Sequence, residues 1–347
     1  MRYLLIFLCS IIIVSCTTNP AKNFSSVSIE RVFTDSLSIR AIASIDISKV
    51  WFAANNGKVG LIDNGTPKLA SIKYEDSLLN FRAIATTKES VFVLSIGNPG
   101  VLYKIGFNEN EATNIEEVYV EKGEKVFYDA ISFWDDNEGI AMGDPTNDCL
   151  SILITRDGGN NWEKLSCDIL PAIEKGEAAF AASNSNIALY ENHVWIVTGG
   201  KKARVFYSAD RGKSWEVYET PIVQGKAMTG IYSVDFLDEK TGVIFGGDWE
   251  NQKFNEGNKA LTRDGGKTWN LVSNGKEPGY RSSVRFAPGS EGNGIVAVGS
   301  PGISYSKDAG DSWVQLSDEG FYALEFVNDT LAFASGRNKI SRLIFKE

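Results

Sequence analysis

Four octapeptides of one pattern constrain this chain more than any other feature. They are TRDGGNNW (155–162), SADRGKSW (208–215), TRDGGKTW (262–269) and SKDAGDSW (306–313). Their aspartates, Asp157, Asp210, Asp264 and Asp308, follow one another at intervals of 53, 54 and 44 residues. A period near 50 marks a repeat fold in which each unit buries its apolar face only against its neighbours, and it points to a propeller of four-stranded sheets. Within the box, aspartate offers acceptors to nearby backbone N–H groups and glycine tolerates positive φ. A leading Ser or Thr adds a hydroxyl. The closing tryptophans, Trp162, Trp215, Trp269 and Trp313, bring large apolar surfaces for a neighbouring blade. The Asp box therefore reads as a structural hairpin between third and fourth strands.

The same strand order recurs upstream of each box. YDAISFW, GIAMG, SILIT and WEKL make one blade, IYSVDFL, GVIFGG, KALT and WNLV another, and SSVRFAP, GIVAVG, GISYS and WVQL a third. Where the box has decayed the order persists, in RAIASID–KVWFAAN–KVGLID, RAIATT–SVFVLSIG–GVLYKIG and AAFAAS–HVWIVTGG–RVFYS. The final unit, YALEFV–LAFASG–ISRLIFK, has three strands, and VSIERVF (27–33) is available as its fourth. The expected fold is all-β, a seven-bladed propeller with Asp-box hairpins, its ring closed by the N-terminal strand, which removes free sheet edges. The 33 glycines against 9 prolines suit a chain of many tight turns.

The N-terminus carries an address. LLIFLCSIIIV (4–14) is too short to span a bilayer comfortably and ends in IVSC, which resembles a bacterial lipobox. The expectation is a lipoprotein signal peptide over 1–15, lipidation at Cys16, a polar tether over 16–26 and the propeller over 27–347. The tether lacks an acidic run, which favours a periplasm-facing lipid anchor in the cell envelope. Cys9 leaves with the leader, so Cys149 and Cys167 remain. They flank the first box symmetrically about residue 158, and a disulfide is expected between them in an oxidising compartment.

The net charge of −9 argues against a nucleic-acid partner. His193, the single histidine, falls at the start of a strand, and with so few cysteines neither a metal nor a cofactor is expected. GSEGNG (289–294) joins two strands and opens no helix, so it is no phosphate loop. Strand parity puts the boxes on the bottom of the ring and the second-to-third loops on top, where propellers bind ligands. Aligning first strands on their A-I or S-V core brings Arg40, Arg82, Asp129, Tyr232, Ser282 and Tyr322 to one equivalent position, preceded in their blades by Tyr128 and Arg281. The top loops add Asp144, Asp248, Trp249 and Arg337. Arginines beside aromatics suit carboxylates, sugars or a peptide segment.

FYDAISFWDDNEGIAMGDPTND, the box that follows it, and GEAAFAASNSNIAL resemble the bacterial branch of the photosystem II assembly and stability factor family. The resemblance implies a seven-bladed Asp-box propeller, often lipid-anchored, acting as a non-enzymatic binding or assembly scaffold, and the expected partner is a protein or a glycan or small-molecule ligand. Asp boxes are shared with sialidases, and a glycan-processing enzyme, either a sialidase-like hydrolase or a polysaccharide lyase, stays open as the alternative. FRAIA (81–85) is not the sialidase Arg-Ile-Pro signature, and no Tyr/Glu nucleophile pair can be assigned from sequence.

Overall fold

The computed structural model describes residues 22–347, and every regular element among them is a β-strand. The leader and the lipidation position Cys16 lie outside the described residues. No helix among those described is long and apolar enough to cross a membrane.

The strands form antiparallel sheets that follow one another in chain order. The inner strands are apolar at successive positions because both of their faces are covered. Lys49–Ala54, Ser90–Ser95, Gly139–Gly143 and Ile295–Gly299 are buried almost throughout, while the outer strands Thr66–Ser71 and Glu111–Glu121 are largely exposed and polar. Most apolar clusters join two successive sheets. One unites Trp51 and Leu61 with Phe81 and Val93, and another unites Met142 and Ile154 with Val194 and Phe206. A third sets Ile42 and Phe52 of the first sheet against Ala323, Phe333 and Ile340 of the last. Sheets packed face to face in sequence, with the last on the first, make a β-propeller.

The ring is joined by its two ends. The long strand Ser26–Ser44 pairs along its first half with the C-terminal strand Leu331–Lys346, Val27 opposite Phe345 and Ile29 opposite Leu343. Its second half pairs with Lys49–Ala54. The folded part begins before the strand, inside the stretch expected to be a polar tether. Phe24 is buried, stacked on Phe345 at 5.0 Å and tilted against Tyr305 at 4.9 Å, because a lone aromatic in a polar run gains most by filling the apolar seam between the last two sheets.

The four octapeptides lie between a buried strand and its short outer partner, for example Lys259–Thr262 and Asn270–Leu271. Their hydrogen bonds repeat. The hydroxyls of Thr155, Ser208, Thr262 and Ser306 accept the N–H of Gly159, Gly212, Gly266 and Gly310 at 2.8–3.0 Å. Each hydroxyl donates to the Asp Oδ1, which also accepts the N–H four residues on. Partial burial pushes the Asp210 carboxyl up, but the bonds from Ser214, Ser208 and Lys213 prevail and hold it at about 2. The last glycine is the point where the turn touches the preceding sheet. Gly310 has φ +87°, and a Cβ there would come within 2.8 Å of Val272. Trp215, Trp269 and Trp313 donate from the indole to the carbonyl of that glycine, and Trp162 does not.

The stretch AAFAAS (178–183), read from sequence as a first strand, is not one. That place is taken by Ile187–Tyr190, paired with His193–Val197. Small apolar residues satisfied the strand pattern, but they pack in the mouth of the central channel instead. Cys149 and Cys167 are joined, with Cα atoms 5.5 Å apart, and tie the start of Ser151–Thr155 to the segment following Glu163–Lys164.

Candidate functional site

Four of the residues aligned from sequence occupy one structural position. Arg40, Arg82, Asp129 and Tyr232 each sit where the register shifts between the first strand of a sheet and its neighbour. Such a bulge bends the strand and re-aims one side chain out of the ladder, here toward the channel mouth. Ser282 and Tyr322 stand immediately before Ser283–Phe286 and Ala323–Phe326. In the sheet that begins with Ile187–Tyr190 the matching residue is Ser185, which the misplaced first strand had hidden.

The bulges surround a cavity of about 430 Å³ whose lining includes Arg40, Arg82, Asp144, Phe180, Tyr232 and Trp249. Phe180 stacks flat on Tyr232 at 3.9 Å, and Tyr280 meets Tyr232 edge-on at 4.8 Å. The Tyr232 hydroxyl donates to the carbonyl of Met228. Arg40 lies 4.2 Å above the Tyr322 ring and reaches the Ala182 carbonyl, leaving its buried Nε unpartnered. Trp249 is half exposed at the rim. The cavity therefore has an aromatic wall and a cationic wall.

Residues 178–182 line it, and the chain continues through Ser183, Asn184 and Ser185 toward the axis. Ser183 donates to the Ser282 carbonyl at 2.6 Å, and the Ser185 carbonyl accepts the Val234 N–H at 2.9 Å. Asn184, at φ 60°, accepts the Ile131 N–H at 2.9 Å and donates to the Ile84 carbonyl at 2.8 Å. The segment is thus tied across the axis to several sheets at once. Asparagine tolerates the left-handed conformation, and its amide can both donate and accept. The lower channel holds a smaller cavity of about 260 Å³ lined by Asn184, Arg285 and Glu325.

Burial dominates the electrostatics. It draws the Arg82 guanidinium down to about 10, helped by Arg40 and opposed by Asp129, so Arg82 remains charged at neutral pH. Asp129 is fully buried, and neither carboxylate oxygen has a hydrogen-bond partner. Burial and the adjacent Asp144 push its carboxyl well up against the pull of Arg82. Burial also raises Asp144, to about 6, although it accepts the Ala179 N–H at 2.8 Å.

The remaining residues singled out from sequence lie elsewhere. Tyr128 is buried, its hydroxyl donating to Glu121 at 2.5 Å. Arg281 turns into its own sheet, onto Ser304, Gln315 and the Tyr280 carbonyl. Asp248 caps the N–H groups of Glu250 and Asn251. Arg337 is exposed, within the strand Leu331–Lys346 and opposite Ser38, and does not line the cavity. Tyr128, Arg281 and Asp248 are held by polar partners in their own neighbourhood, side chains for the first two and backbone N–H groups for the third. Phe180, Met228 and Tyr280 were missed. The first falls in the misread segment, and the other two lie before the aligned positions Tyr232 and Ser282, outside the small-apolar core used to align the strands.

Tyr128 and Glu121 are the kind of pair a sialidase-like hydrolase would use, but they are not set up as one. The pair lies off the cavity, and burial together with the bond to Glu121 pushes the phenol pKa up, away from the phenolate a nucleophile needs. His193 bonds the Tyr207 hydroxyl at 2.7 Å and stacks on Trp195. Among the described residues no group of three His, Cys, Asp or Glu side chains could hold a metal ion.

No family model matches the chain, and no curated protein does. Solved structures do match. YCF48 bound to D1 peptide shares 15% identity at a TM-score of 0.66, over 94% of this chain and 99% of that one. YCF48 from Cyanidioschyzon merolae shares 14% at 0.61, over 92% and 98%. The WD40 repeats of RRP9 share 13% at 0.61, over 94% and 99%. At these identities the likeness is one of fold.

Proposed function

We propose that this chain is a seven-bladed Asp-box propeller, lipidated at Cys16 and held at the bacterial cell envelope, that binds a segment of a protein partner at the channel mouth without chemistry of its own. The observation that carries the reading is the mouth, where two arginines face an aromatic wall inside a preformed cavity with no activated nucleophile. Fixed guanidinium groups recognise carboxylates, and Phe180, Tyr232 and Trp249 offer apolar contact to a flanking side chain. The fold shared with YCF48 bound to D1 peptide supports a peptide as the ligand class. The seven-blade count rests on the chain-order series of first strands, with Ser26–Ser44 serving both the first blade and, through its opening residues, the last.

The test is an array of peptides with free carboxyl termini, screened against the wild type and an Arg40→Ala/Arg82→Ala variant. The variant is expected to fold and to lose the bound peptides. A folded variant that binds as the wild type does would move the site elsewhere. Metabolic labelling with palmitate, abolished in Cys16→Ser, tests the anchor.

A further inference from the structure

The buried acid beside Arg82 and Asp144, behind the cavity lining, has no role in the reading above. Asp129 has both oxygens sealed from solvent and unpartnered, a costly state for an ionised carboxylate. The charged groups that face it are Asp144, which follows the adjacent strand Gly139–Gly143, and Arg82 from the preceding sheet, with Arg40 beyond Arg82. Asp144 accepts the Ala179 N–H on one side and borders an outer groove on the other, whose charged members are Lys125, Asp148, Lys175 and Glu177. Asp144 also lines the cavity itself. Any anion placed on Arg40 and Arg82 therefore approaches Asp144 in the cavity lining and, behind it, the buried Asp129 that interacts with both Asp144 and Arg82.

We propose that the mouth takes an anionic group together with one proton, which is held by the Asp129–Asp144 pair. This rests on the reading of the mouth as a carboxylate-binding site. The ligand's charge disfavours a second negative charge beside it, so occupancy raises the proton affinity of the pair. By linkage, protonation of the pair must then strengthen binding by the same factor. Burial has already brought Asp144 to about 6, so the effect falls across neutral pH. Affinity is greatest below pH 6 and declines above it, while Arg82, at about 10, stays charged throughout.

The probe is N-acetylphenylalanine, one carboxylate and one ring, with N-acetylphenylalaninamide as the uncharged control. Binding is measured at pH 5.5 and 8, with proton exchange read calorimetrically in buffers of different ionisation enthalpy. The wild type is expected to bind the acid about tenfold more tightly at pH 5.5 and to take up a proton above pH 6. Asp144→Asn, close in shape, is expected to bind at pH 8 as the wild type does at pH 5.5, with a flat profile. Asp129→Asn serves as the second variant and is expected to weaken the pH dependence. Acid binding that is lost in Arg40→Ala/Arg82→Ala but is flat with pH and proton-neutral in the wild type overturns the linkage and leaves the site standing. Equal binding of acid and amide, or binding of neither, overturns both.

Discussion

Trp269→Ala separates a structural box from a functional one. Trp269 is 7% exposed, donates to the Gly266 carbonyl at 2.9 Å and meets Phe236 edge-on at 6.0 Å. Phe236 in turn stacks on Trp195 of the preceding sheet at 3.6 Å, so the indole props a contact between sheets. Truncating a well-packed tryptophan costs about 3–5 kcal/mol, and the lost hydrogen bond is within that figure. Against a total stability of about 5–15 kcal/mol the loss is severe. In urea it should lower the midpoint by about 1 M or more without changing the slope. Trp269→Phe keeps a ring and loses the N–H, and should cost about 1–2 kcal/mol. Carboxylate binding by the surviving folded protein should be unchanged, because the box lies at the far end of its sheet from the mouth. A loss under about 1 kcal/mol for Trp269→Ala, or binding lost while folding is intact, would refute the reasoning.

Non-reducing peptide mapping should recover Cys149 and Cys167 as one cross-linked species. Replacing both by serine should lower stability by about 3 kcal/mol, as expected for a closed loop of this size. Glu177→Gln leaves Arg204 buried without its counter-charge and should cost about 3–5 kcal/mol by denaturant unfolding, with Arg204 only 8% exposed at its side chain. Asp144, raised from 3.8 to about 6, contributes stability that is present below pH 3.8 and lost as pH rises through 6. The stability of the wild type relative to Asp144→Asn should therefore fall by about 2 kcal/mol between pH 4 and pH 7, and parallel unfolding curves would expose the absence of that drop.

The sequence was most readable where one physical demand repeats. The octapeptides announced their turns because aspartate, glycine and a leading hydroxyl are what that hydrogen-bond set requires. The bulge position was legible for Arg40, Arg82, Asp129 and Tyr232 because the small-apolar core of each first strand fixes its offset. The segment lining the mouth was not legible. Ala179, Ala181 and Ala182 have the composition of an inner strand, and only the presence of Ile187–Tyr190 in that place displaces them. Asn184 is polar yet bridges Ile84 and Ile131 across the axis, a partnership of long range that no local pattern encodes. Tyr128 and Arg281 were next to the right position, but in a strand a single step reverses the side chain's direction.

The pairing of Ser26–Ser44 with Leu331–Lys346 sets a timetable as well as a seam. Glu30 and Arg342, bonded across it, are 312 residues apart, so the final contact of the ring waits for the last part of the chain. A chain made from its N-terminus leaves residues 26–34 without their partner until residues 339–346 appear. Throughout that interval the first and last sheets expose the apolar faces they later press together. Shortening the chain by its last eight residues would make that interval permanent, whatever the quality of the sheets already formed.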